Sequence, residues 1–349
     1  MKLTLLLLGL FLGLSSAIMI PHPGPLHFHN PPRYQVDIDA PPKVQWAPVM
    51  NDFKEPLSIF IAEFENLLPI PKWIFNVVGV YGKAIFKYQK YVKQIEAIAE
   101  LTDLPFNTLF TLNFMYELAS WKACTGVVVR NNKGTIYHGR NLDFEFFRYF
   151  ANLTMTIDYY RNNQHIFSVD GIAGAIFFHS GVKPGKFGLT QTTRNSKSLF
   201  TNLEAIAKGN FPSVWLIKET LETEDNFDDA VKKLNTTAIA CPIYYMVSGP
   251  GINDGVVIER NYDSIHGFYQ LNETTSFLVQ TNYDRDIPDP WYDRRRIPAQ
   301  ERLEKLNGNI NETVLMEDIM MKYPTLNIAT IMSTVVNPRT GYFNTSTWW

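Results

Sequence analysis

A strand, a turn and a returning strand after Cys124 constrain this chain more than any other stretch of its sequence. Val127 to Val129 precede the segment Asn131-Asn132-Lys133-Gly134, and Thr135-Ile136-Tyr137 follows it. β-Branched and aromatic residues on both sides of a turn that contains asparagine and glycine are typical of an antiparallel hairpin. The sequence therefore predicts that Cys124 begins the first strand of a hairpin.

The expected pairing of this hairpin brings charged side chains to the cysteine. If the residues that flank the turn pair directly, Cys124 lies opposite Asn141, and Arg140 and Asp143 lie beside the thiol. A slip of one residue would exchange the two faces, so the pattern predicts proximity rather than geometry. A thiol near a guanidinium and a carboxylate is suited to nucleophilic chemistry. The alternative is a small buried cysteine beside a surface ion pair.

Length and charge limit the class of protein. The chain has 349 residues, of which 46% are hydrophobic and 14% aromatic, enough for a large core in one or two domains. Its formal net charge of -2 gives no basic field for nucleic acid, so we exclude that partner class. Three histidines near the N-terminus have no acidic or cysteine neighbour, and we expect neither a metal site nor a cofactor.

The first 17 residues have the form of a cleaved secretory signal, with one lysine, an apolar run and Ser15-Ser16-Ala17. The mature chain is then expected to begin near Ile18, and no other uncharged stretch is long enough to span a bilayer. We therefore expect a soluble lumenal or secreted product. Five sequons fit passage through the secretory pathway and mark glycosylation candidates: Asn152, Asn235, Asn272, Asn311 and Asn344.

Only two cysteines occur, Cys124 and Cys241. So few cysteines are unusual in a secreted protein of this length, and a disulfide between these two is the structural alternative to a free thiol at Cys124. We favour the free thiol, because a disulfide would leave the neighbouring arginine and aspartate without a role.

The first third of the mature chain changes from extended to helical. Prolines throughout residues 18–48 predict extended backbone with short strands at 34–38 and 44–47. Apolar residues spaced by three and four predict helices from Asn51 onward, the last of them at 107–120. The apolar segment 70–88 carries aromatic residues and lysines, so it is either a buried helix pair or a surface that meets lipid.

The remainder is dominated by strands, and the order of elements favours an α+β fold, a layered αββα sandwich, over a parallel doubly wound sheet. We expect residues 243–280 to form a meander of four strands. The other predicted strands are 154–160, 165–169 and 187–193, and the predicted helices are 211–221, 227–234, 298–306 and 314–323.

Several motifs in order resemble one known family. They are Cys124-Thr125, Ile136-Tyr-His-Gly-Arg-Asn-Leu-Asp-Phe144, Lys183-Pro-Gly, Gln280-Thr-Asn-Tyr-Asp-Arg285 and Asp293-Arg-Arg-Arg-Ile-Pro-Ala299. Together they are similar to the N-acylethanolamine-hydrolysing acid amidase and acid ceramidase family of N-terminal nucleophile hydrolases. The resemblance covers nearly the whole mature chain, which a single motif could not do.

The resemblance implies a precursor that cuts its own Ala123–Cys124 bond. The products would be an α subunit of residues 18–123 and a catalytic β subunit of residues 124–349, held as a heterodimer. Cys124 would supply the nucleophilic thiol and, once cleaved, the α-amine base. Arg140 would stabilise the thiolate and Asp143 would orient the α-ammonium. Asn282 would be the oxyanion donor and Arg295 would brace the network.

One departure from the family pattern concerns Thr193. Family members carry a glutamate in the segment that corresponds to Thr192-Thr193-Arg194. Threonine cannot carry charge, which puts the rate or pH profile of self-cleavage, or the amine pocket, in question. Gly126 also replaces a family serine. Taken singly, Asn282 could equally be a turn residue and Arg295 part of a solvated arginine run.

The resemblance implies hydrolysis of a fatty acyl amide, and we prefer N-acylethanolamines, because local motifs and the few cysteines are closer to the acid amidase branch. Ceramide hydrolysis is the alternative, and an inactive lipid-binding member of the fold is the alternative of another class. We expect lysosomal residence, or secretion, and peripheral contact of the N-terminal helices with membrane. Candidates for an acyl groove are Val77, Phe86, Ile176, Phe177 and Phe178.

Overall fold

The computed structural model of the protein describes residues 20–22, 28–67, 71–84, 86–118, 124–144, 147–194 and 198–348. The signal sequence expected at residues 1–17 lies outside these ranges. After a first strand, β1 (Arg33–Asp37), the N-terminal part is helical. Its helices are α1 (Pro42–Leu67), α2 (Lys72–Ala84), α3 (Gln89–Thr102), α4 (Phe106–Leu112) and α5 (Met115–Leu118).

The strands of the described residues form two sheets. The larger sheet has the order β1-β4-β5-β6-β7-β8-β9-β10 and the smaller has the order β11-β2-β3-β12-β13. Their strands are β2 (Cys124–Arg130), β3 (Ile136–Asp143), β4 (Thr154–Arg161), β5 (Gln164–Ile172), β6 (Phe178–Lys183), β7 (Phe187–Thr193), β8 (Ile243–Ser248), β9 (Gly255–Arg260), β10 (Ile265–Gln270), β11 (Phe277–Gln280), β12 (Thr330–Asn337) and β13 (Tyr342–Thr347).

The two sheets pack face to face. Val128, Met246 and Val257 belong to one apolar cluster that joins the sheets. His138 on β3 links them as well, because its two ring nitrogens lie 3.1 Å from Ser248 Oγ and 2.9 Å from Thr190 Oγ1. Burial lowers the pKa of His138 to about 3, so the link stays uncharged in acid.

Helices cover the outer faces of both sheets, which confirms the αββα sandwich. The remaining helices are α6 (Phe147–Ala151), α7 (Leu199–Ala207), α8 (Trp215–Thr223), α9 (Phe227–Thr236), α10 (Arg296–Leu306) and α11 (Glu312–Val314), which continues as a π-helix (Leu315–Met320). Helices α8 and α9 share the large core with β6 and β8, whereas α10 and the π-helix share a separate cluster with the smaller sheet. No helix among the described residues is long and apolar enough to cross a membrane.

The structure corrects the strand predicted at residues 44–47 and the extended backbone predicted up to residue 48. The strand at 34–38 is confirmed as β1, but helix α1 already begins at Pro42 and contains Pro48 and Pro56. Proline is tolerated in the first turn of a helix, while the later prolines lose backbone hydrogen bonds. Burial of the helix's apolar face, which includes Trp46, outweighs that loss.

The predicted meander is also wrong in its last strand. Strands β8, β9 and β10 are antiparallel neighbours in the larger sheet. Strand β11 leaves that sheet and pairs with β2 in the smaller one. The helix predicted at 107–120 is interrupted too, because Asn113 and Phe114 separate α4 from α5. The other predicted strands and helices are observed, with shifted ends.

Candidate active site

The hairpin of β2 and β3 forms as predicted, but its register is shifted by one residue. Cys124 pairs with Leu142 rather than with Asn141. The turn is longer than expected, because the side chain of Asn131 accepts hydrogen bonds from the backbone N–H groups of Lys133 and Thr135. Gly134 has a φ of 78°, which glycine adopts without strain. The shift changes which side chains share the face of the thiol.

In the observed register Arg140 lies on the same face as Cys124. Side chains alternate along a strand, so Arg140, two residues before Leu142, points to the thiol side. Its Nη2 lies 3.2 Å from Cys124 Sγ, and its Nε donates to the backbone oxygen of Gln191 at 2.8 Å. Both residues are buried. The guanidinium of Arg140 therefore faces the thiol in a buried site.

The backbone N–H of Cys124 is held by Asn282. The route of β11 explains this contact: Gln280 pairs with Gly126, so Asn282, two residues later, reaches Cys124. Asn282 Oδ1 accepts the Cys124 N–H at 2.7 Å, and its Nδ2 donates to the backbone oxygen of Thr193 at 2.9 Å. The group that would become the α-amine after cleavage is thus already positioned.

Arg295 connects the other members of the site. Its Nη2 donates to Asn282 Oδ1 at 2.9 Å and its Nη1 donates to Asp143 Oδ2 at 3.0 Å. Two further bonds of 2.6 Å join it to the carboxylate of Asp293. Arg295 is fully buried, so it is not part of a solvated arginine run. The two carboxylates raise its pKa despite burial.

Asp143 lies on the opposite face of β3 from Cys124. Its carboxylate accepts from Thr330 Oγ1 at 2.7 Å and from Asn327 Nδ2 at 3.1 Å, in addition to Arg295. Burial raises the pKa of Asp143, and Arg295 opposes that shift. The carboxylate bonds to Arg295, Arg295 bonds to Asn282, and Asn282 bonds to the backbone nitrogen of Cys124. Asp143 is thereby coupled to Cys124 through two side chains.

Burial and nearby charges act in opposite directions on the thiol of Cys124. Burial raises the pKa of Cys124, and the charge of Asp143 raises it further. Arg140, Arg295 and the backbone N–H of Asp143 oppose the shift by stabilising the thiolate. The positive groups around the sulfur therefore favour the thiolate form of Cys124.

Neither cysteine forms a disulfide, and both are buried free thiols. Cys241 lies elsewhere, with its sulfur 3.8 Å from Glu117 Oε1 on α5. The backbone N–H of Ser213 donates to the same oxygen at 2.8 Å. Burial raises the pKa of Glu117 to about 7 and the pKa of Cys241 well above its ordinary value. The disulfide alternative is excluded in this structure.

Thr193 and Gly126, the two positions at which we expect a departure from the family pattern, both have defined contacts in the structure. The backbone oxygen of Thr193 accepts a hydrogen bond from Asn282 Nδ2. The next residue, Arg194, forms a two-bonded ion pair with Asp284, at 2.6 and 2.8 Å. At Gly126 a Cβ atom would lie 2.2 Å from the sulfur of Met246, so glycine here accommodates that methionine.

Four of the five groove candidates, Phe86, Ile176, Phe177 and Phe178, are buried in the large core. The ring of Phe177 packs near that of Tyr116, with centroids 5.6 Å apart. Val77 lines an apolar cavity of about 380 Å³ between α2 and α7. Other residues that line this cavity are Trp73, Tyr81, Phe114, Leu118, Leu203 and Ile206.

The remaining sequence predictions concern modification and cleavage. Asn152, Asn272 and Asn311 are exposed, while Asn235 and Asn344 are half-buried. Glycosylation at these five positions stays a prediction. Ala123, on the other side of the expected cleavage bond, lies outside the described residues.

One group of metal-ligand type occurs among the described residues, and sequence reasoning did not find it. Side-chain atoms of Glu259, His266 and Asp284 lie within 4.8 Å of one another. The carboxylate of Asp284 is already paired with Arg194 and accepts a hydrogen bond from Tyr244. We therefore treat this group as a charge network rather than a metal site.

Sequence reasoning also missed the residues that hold Asp143 and Arg295. Asn327 precedes β12 and Thr330 begins it, and this strand was not predicted. Asp293 was recognised only as part of the Asp293-Arg-Arg-Arg motif. The signal for Asp293 was its spacing of two residues from Arg295, whereas Asn327 and Thr330 carried none. Their contacts with Asp143 arise from pairing of β3 with β12 across the fold.

Comparison with known proteins identifies relatives over most of the chain. A family model described as the beta subunit of N-acylethanolamine-hydrolyzing acid amidase matches residues 29–91, all upstream of Cys124 in the segment that we label α. N-acylethanolamine-hydrolyzing acid amidase from Cavia porcellus is 32% identical over 318 residues, which are 89% of this chain and 88% of that protein. Acid ceramidase from Homo sapiens is 29% identical over 353 residues, 93% of this chain and 88% of that protein.

A solved structure supports the fold. The Caenorhabditis elegans N-acylethanolamine-hydrolyzing acid amidase ortholog superposes with a TM-score of 0.56 and 31% sequence identity. The match covers 62% of this chain and 93% of that chain. It agrees with the α+β sandwich described above.

Proposed function

Because this chain belongs to the amide-hydrolysing family of N-acylethanolamine-hydrolysing acid amidases and acid ceramidases, we propose that it is a cysteine amidase of the N-terminal nucleophile class. In this proposal it cuts its own Ala123–Cys124 bond and then hydrolyses fatty acyl amides, with N-acylethanolamines preferred. The observation that carries the proposal is a pair of contacts to Cys124: Arg140 contacts its sulfur, and Asn282 accepts its backbone N–H.

These two contacts support self-cleavage. The thiolate of Cys124 attacks the carbonyl carbon of Ala123, a carbon–sulfur bond forms, and the peptide C–N bond breaks as the nitrogen takes a proton. Water then hydrolyses the thioester, which frees the Ala123 carboxylate and leaves Cys124 with an α-amine. Arg140 stabilises the sulfur before attack, and Asn282 retains the nitrogen after the bond breaks.

Turnover uses the same groups on an external amide. The α-amine of Cys124 takes the thiol proton and later gives it to the leaving amine. The amide of Asn282 keeps a second N–H, beyond the one bonded to Thr193, for the oxyanion. Arg295 fixes the orientation of that amide, and Asp143 and Asp293 fix Arg295. In this proposal Asp143 steers the α-ammonium through these contacts.

The apolar cavity between α2 and α7 suits a fatty acyl chain. It is lined by aliphatic and aromatic side chains, among them Val77 and Leu203. Trp73, which lines the cavity, is 64% exposed, and Phe200, the residue after the lining residue Leu199, is 80% exposed. Lys83 lies in the last turn of α2, and Lys208 follows the end of α7 and pairs with Glu204. Such a surface supports the proposed peripheral contact with a membrane, from which a lipid amide would enter.

The inactive lipid-binding alternative rests on Thr193. Loss of a carboxylate there leaves Arg194 with another partner, Asp284, rather than unpaired. The substitution thus leaves no uncompensated charge next to Asn282. A binding protein also has no need for the buried network from Cys124 to Asp293, which costs desolvation energy. We therefore favour the enzyme.

A substrate panel tests the proposal. Purified protein, acidified to allow cleavage, is given palmitoylethanolamide, N-palmitoylsphingosine and a palmitate ester, with Cys124→Ala as the matched control. We expect free palmitate first from the ethanolamide, and none from the control. Faster release from N-palmitoylsphingosine would favour ceramidase activity. Binding of all three without release would favour the lipid-binding alternative.

A further inference from the structure

Three buried side chains next to the nucleophile have polar atoms without hydrogen-bond partners in the described part of the chain. They are both ring nitrogens of His179 and, adjacent to each other but without a hydrogen bond of normal geometry, the hydroxyl of Tyr116 and the amide atoms of Gln191. Tyr116 is 5% exposed, and the other two are fully buried. Buried polar groups are nearly always bonded, and an unpaired one destabilises the fold. Their concentration in one place points to a ligand.

The fold brings His179 and Gln191 to the same end of two neighbouring strands. The register between β5 and β6 shifts at His179, since Asp170 pairs with Ser180 and Gly171 pairs with Phe178. His179 is therefore the extra residue of a β-bulge, a feature that re-aims side chains beside functional sites. Gln191 follows Thr190, which pairs with Ser180.

This group adjoins the thiol through Arg140. The backbone oxygen of Gln191 accepts Arg140 Nε, while Arg140 Nη2 faces the sulfur of Cys124. The side chains of Gln191 and Arg140 lie within hydrogen-bonding reach of the Tyr116 hydroxyl; burial raises the pKa of that hydroxyl, and the two side chains oppose the shift. The rings of Tyr116 and His179 have centroids 5.9 Å apart.

The chemistry of the three groups suits a neutral polar ligand. Burial and Arg140 hold the pKa of His179 well below its ordinary value, so its ring keeps one donor and one acceptor nitrogen in acid. The hydroxyl of Tyr116 and the amide of Gln191 also each offer a donor and an acceptor. An alkyl chain placed here would leave all of these atoms unpaired. The acyl chain is better accommodated in the apolar cavity, which leaves the amine half of the substrate for this group.

On the basis of the proposed amidase function, we propose that Tyr116, His179 and Gln191 form a subsite that binds a hydroxyl group on the leaving amine and sets the specificity of the enzyme. A hydroxyl both donates and accepts, so it satisfies the imidazole and the amide together. An amine without a hydroxyl leaves these groups unpaired and is rejected.

Two substrates that differ by one group test the subsite. N-Palmitoylethanolamine ends in a hydroxyl where N-propylpalmitamide ends in a methyl. We expect the wild-type enzyme to hydrolyse the first with a kcat/KM at least about tenfold higher. His179→Phe and Gln191→Met keep size and remove the polar atoms. In these variants the ratio falls toward one, because activity on the ethanolamide drops while activity on the propylamide persists.

The controls separate this inference from the proposed function. Thr220→Val makes a buried polar-to-apolar change on α8 and should leave the ratio unchanged. A wild-type enzyme that hydrolyses both amides equally well, or variants that self-cleave and keep the wild-type ratio, would overturn the subsite. Failure of wild-type protein to hydrolyse either amide would instead overturn the amidase function. A wild-type ratio near one would overturn the subsite even if neither variant folds.

Discussion

The guanidinium of Arg140 lies 3.2 Å from the sulfur of Cys124, inside a site where both side chains are buried. At that distance, without water to screen it, a fixed cation stabilises a thiolate far more than a surface arginine would. Burial alone raises the pKa of the Cys124 thiol. In the proposed mechanism, the reactivity of Cys124 therefore depends on Arg140.

Replacement of Arg140 by methionine should remove this stabilisation. We expect the kcat/KM of any residual mature enzyme to fall at least about 100-fold, the loss typical of removing one electrostatic stabiliser. We also expect alkylation of Cys124 by iodoacetamide to shift to higher pH. Rates of alkylation across pH 4–9, compared with wild type, provide the measurement. Unchanged alkylation would contradict the role of Arg140.

Arg295 should be essential for folding as well as for catalysis. Arg295→Met leaves the carboxylates of Asp143 and Asp293 buried without a counter-charge, which costs about 3–5 kcal/mol. We expect a large drop in the midpoint of urea unfolding. Arg294→Met, at the exposed preceding position, is the matched control and should change little. Equal midpoints for the two variants would refute the bracing role.

Glu117 should make the uncut chain more stable in acid. Its pKa is raised in the folded state to about 7, from an ordinary value near 4.5. Between these values the unfolded chain has lost the proton that the folded chain keeps, so stability falls as pH rises from about 4.5 to about 7. The full effect is about 3 kcal/mol, because one pKa unit corresponds to about 1.4 kcal/mol.

Thermal unfolding of Cys124→Ala protein at pH 5.0 and 7.5 measures this effect without cleavage. We expect a higher midpoint at pH 5.0. Adding Glu117→Gln should reduce the difference, since glutamine keeps the oxygen that accepts from Ser213 and carries no charge. Midpoints that depend on pH equally in both proteins would exclude Glu117 as the cause.

The exposed apolar residues of α2 and α7 should bind lipid surfaces. We expect Trp73→Ser combined with Phe200→Ser to weaken binding to anionic vesicles at least about tenfold, since each large side chain contributes about 1.5–3 kcal/mol when buried. Sedimentation with vesicles at pH 5 measures the binding. Trp291→Ser removes an equally exposed tryptophan, at 76%, outside these helices, and should have no effect. Equal losses in both proteins would argue against a specific surface.

The sequence was sufficient to predict the hairpin and the layered fold, because alternation and turn residues act locally. It was insufficient for the register, since the side chain of Asn131 lengthens the turn by bonding to two backbone N–H groups. It also assigned β11 to the wrong sheet. Pairing of β11 with β2 joins residues about 150 positions apart, and nothing in the alternation of β11 specifies its partner.

The members of the site were predicted better than their contacts. Arg140 and Asp143 followed from the hairpin, whereas Asn282 and Arg295 came from the family resemblance. That Arg295 bonds to both Asn282 and Asp143 depends on where α10 begins relative to β11. Prolines misled the prediction at residues 42–48, because packing of Trp46 and its neighbours overrides local preference.

Cleavage before Cys124 is the central claim, and intact mass with N-terminal sequencing tests it most directly. The deglycosylated protein is measured before and after acidification, in parallel with Cys124→Ala. We expect wild type to yield a fragment that begins Cys124-Thr125-Gly126 and the variant to stay whole. Wild-type protein that stays whole under acidic and reducing conditions would contradict the N-terminal nucleophile mechanism.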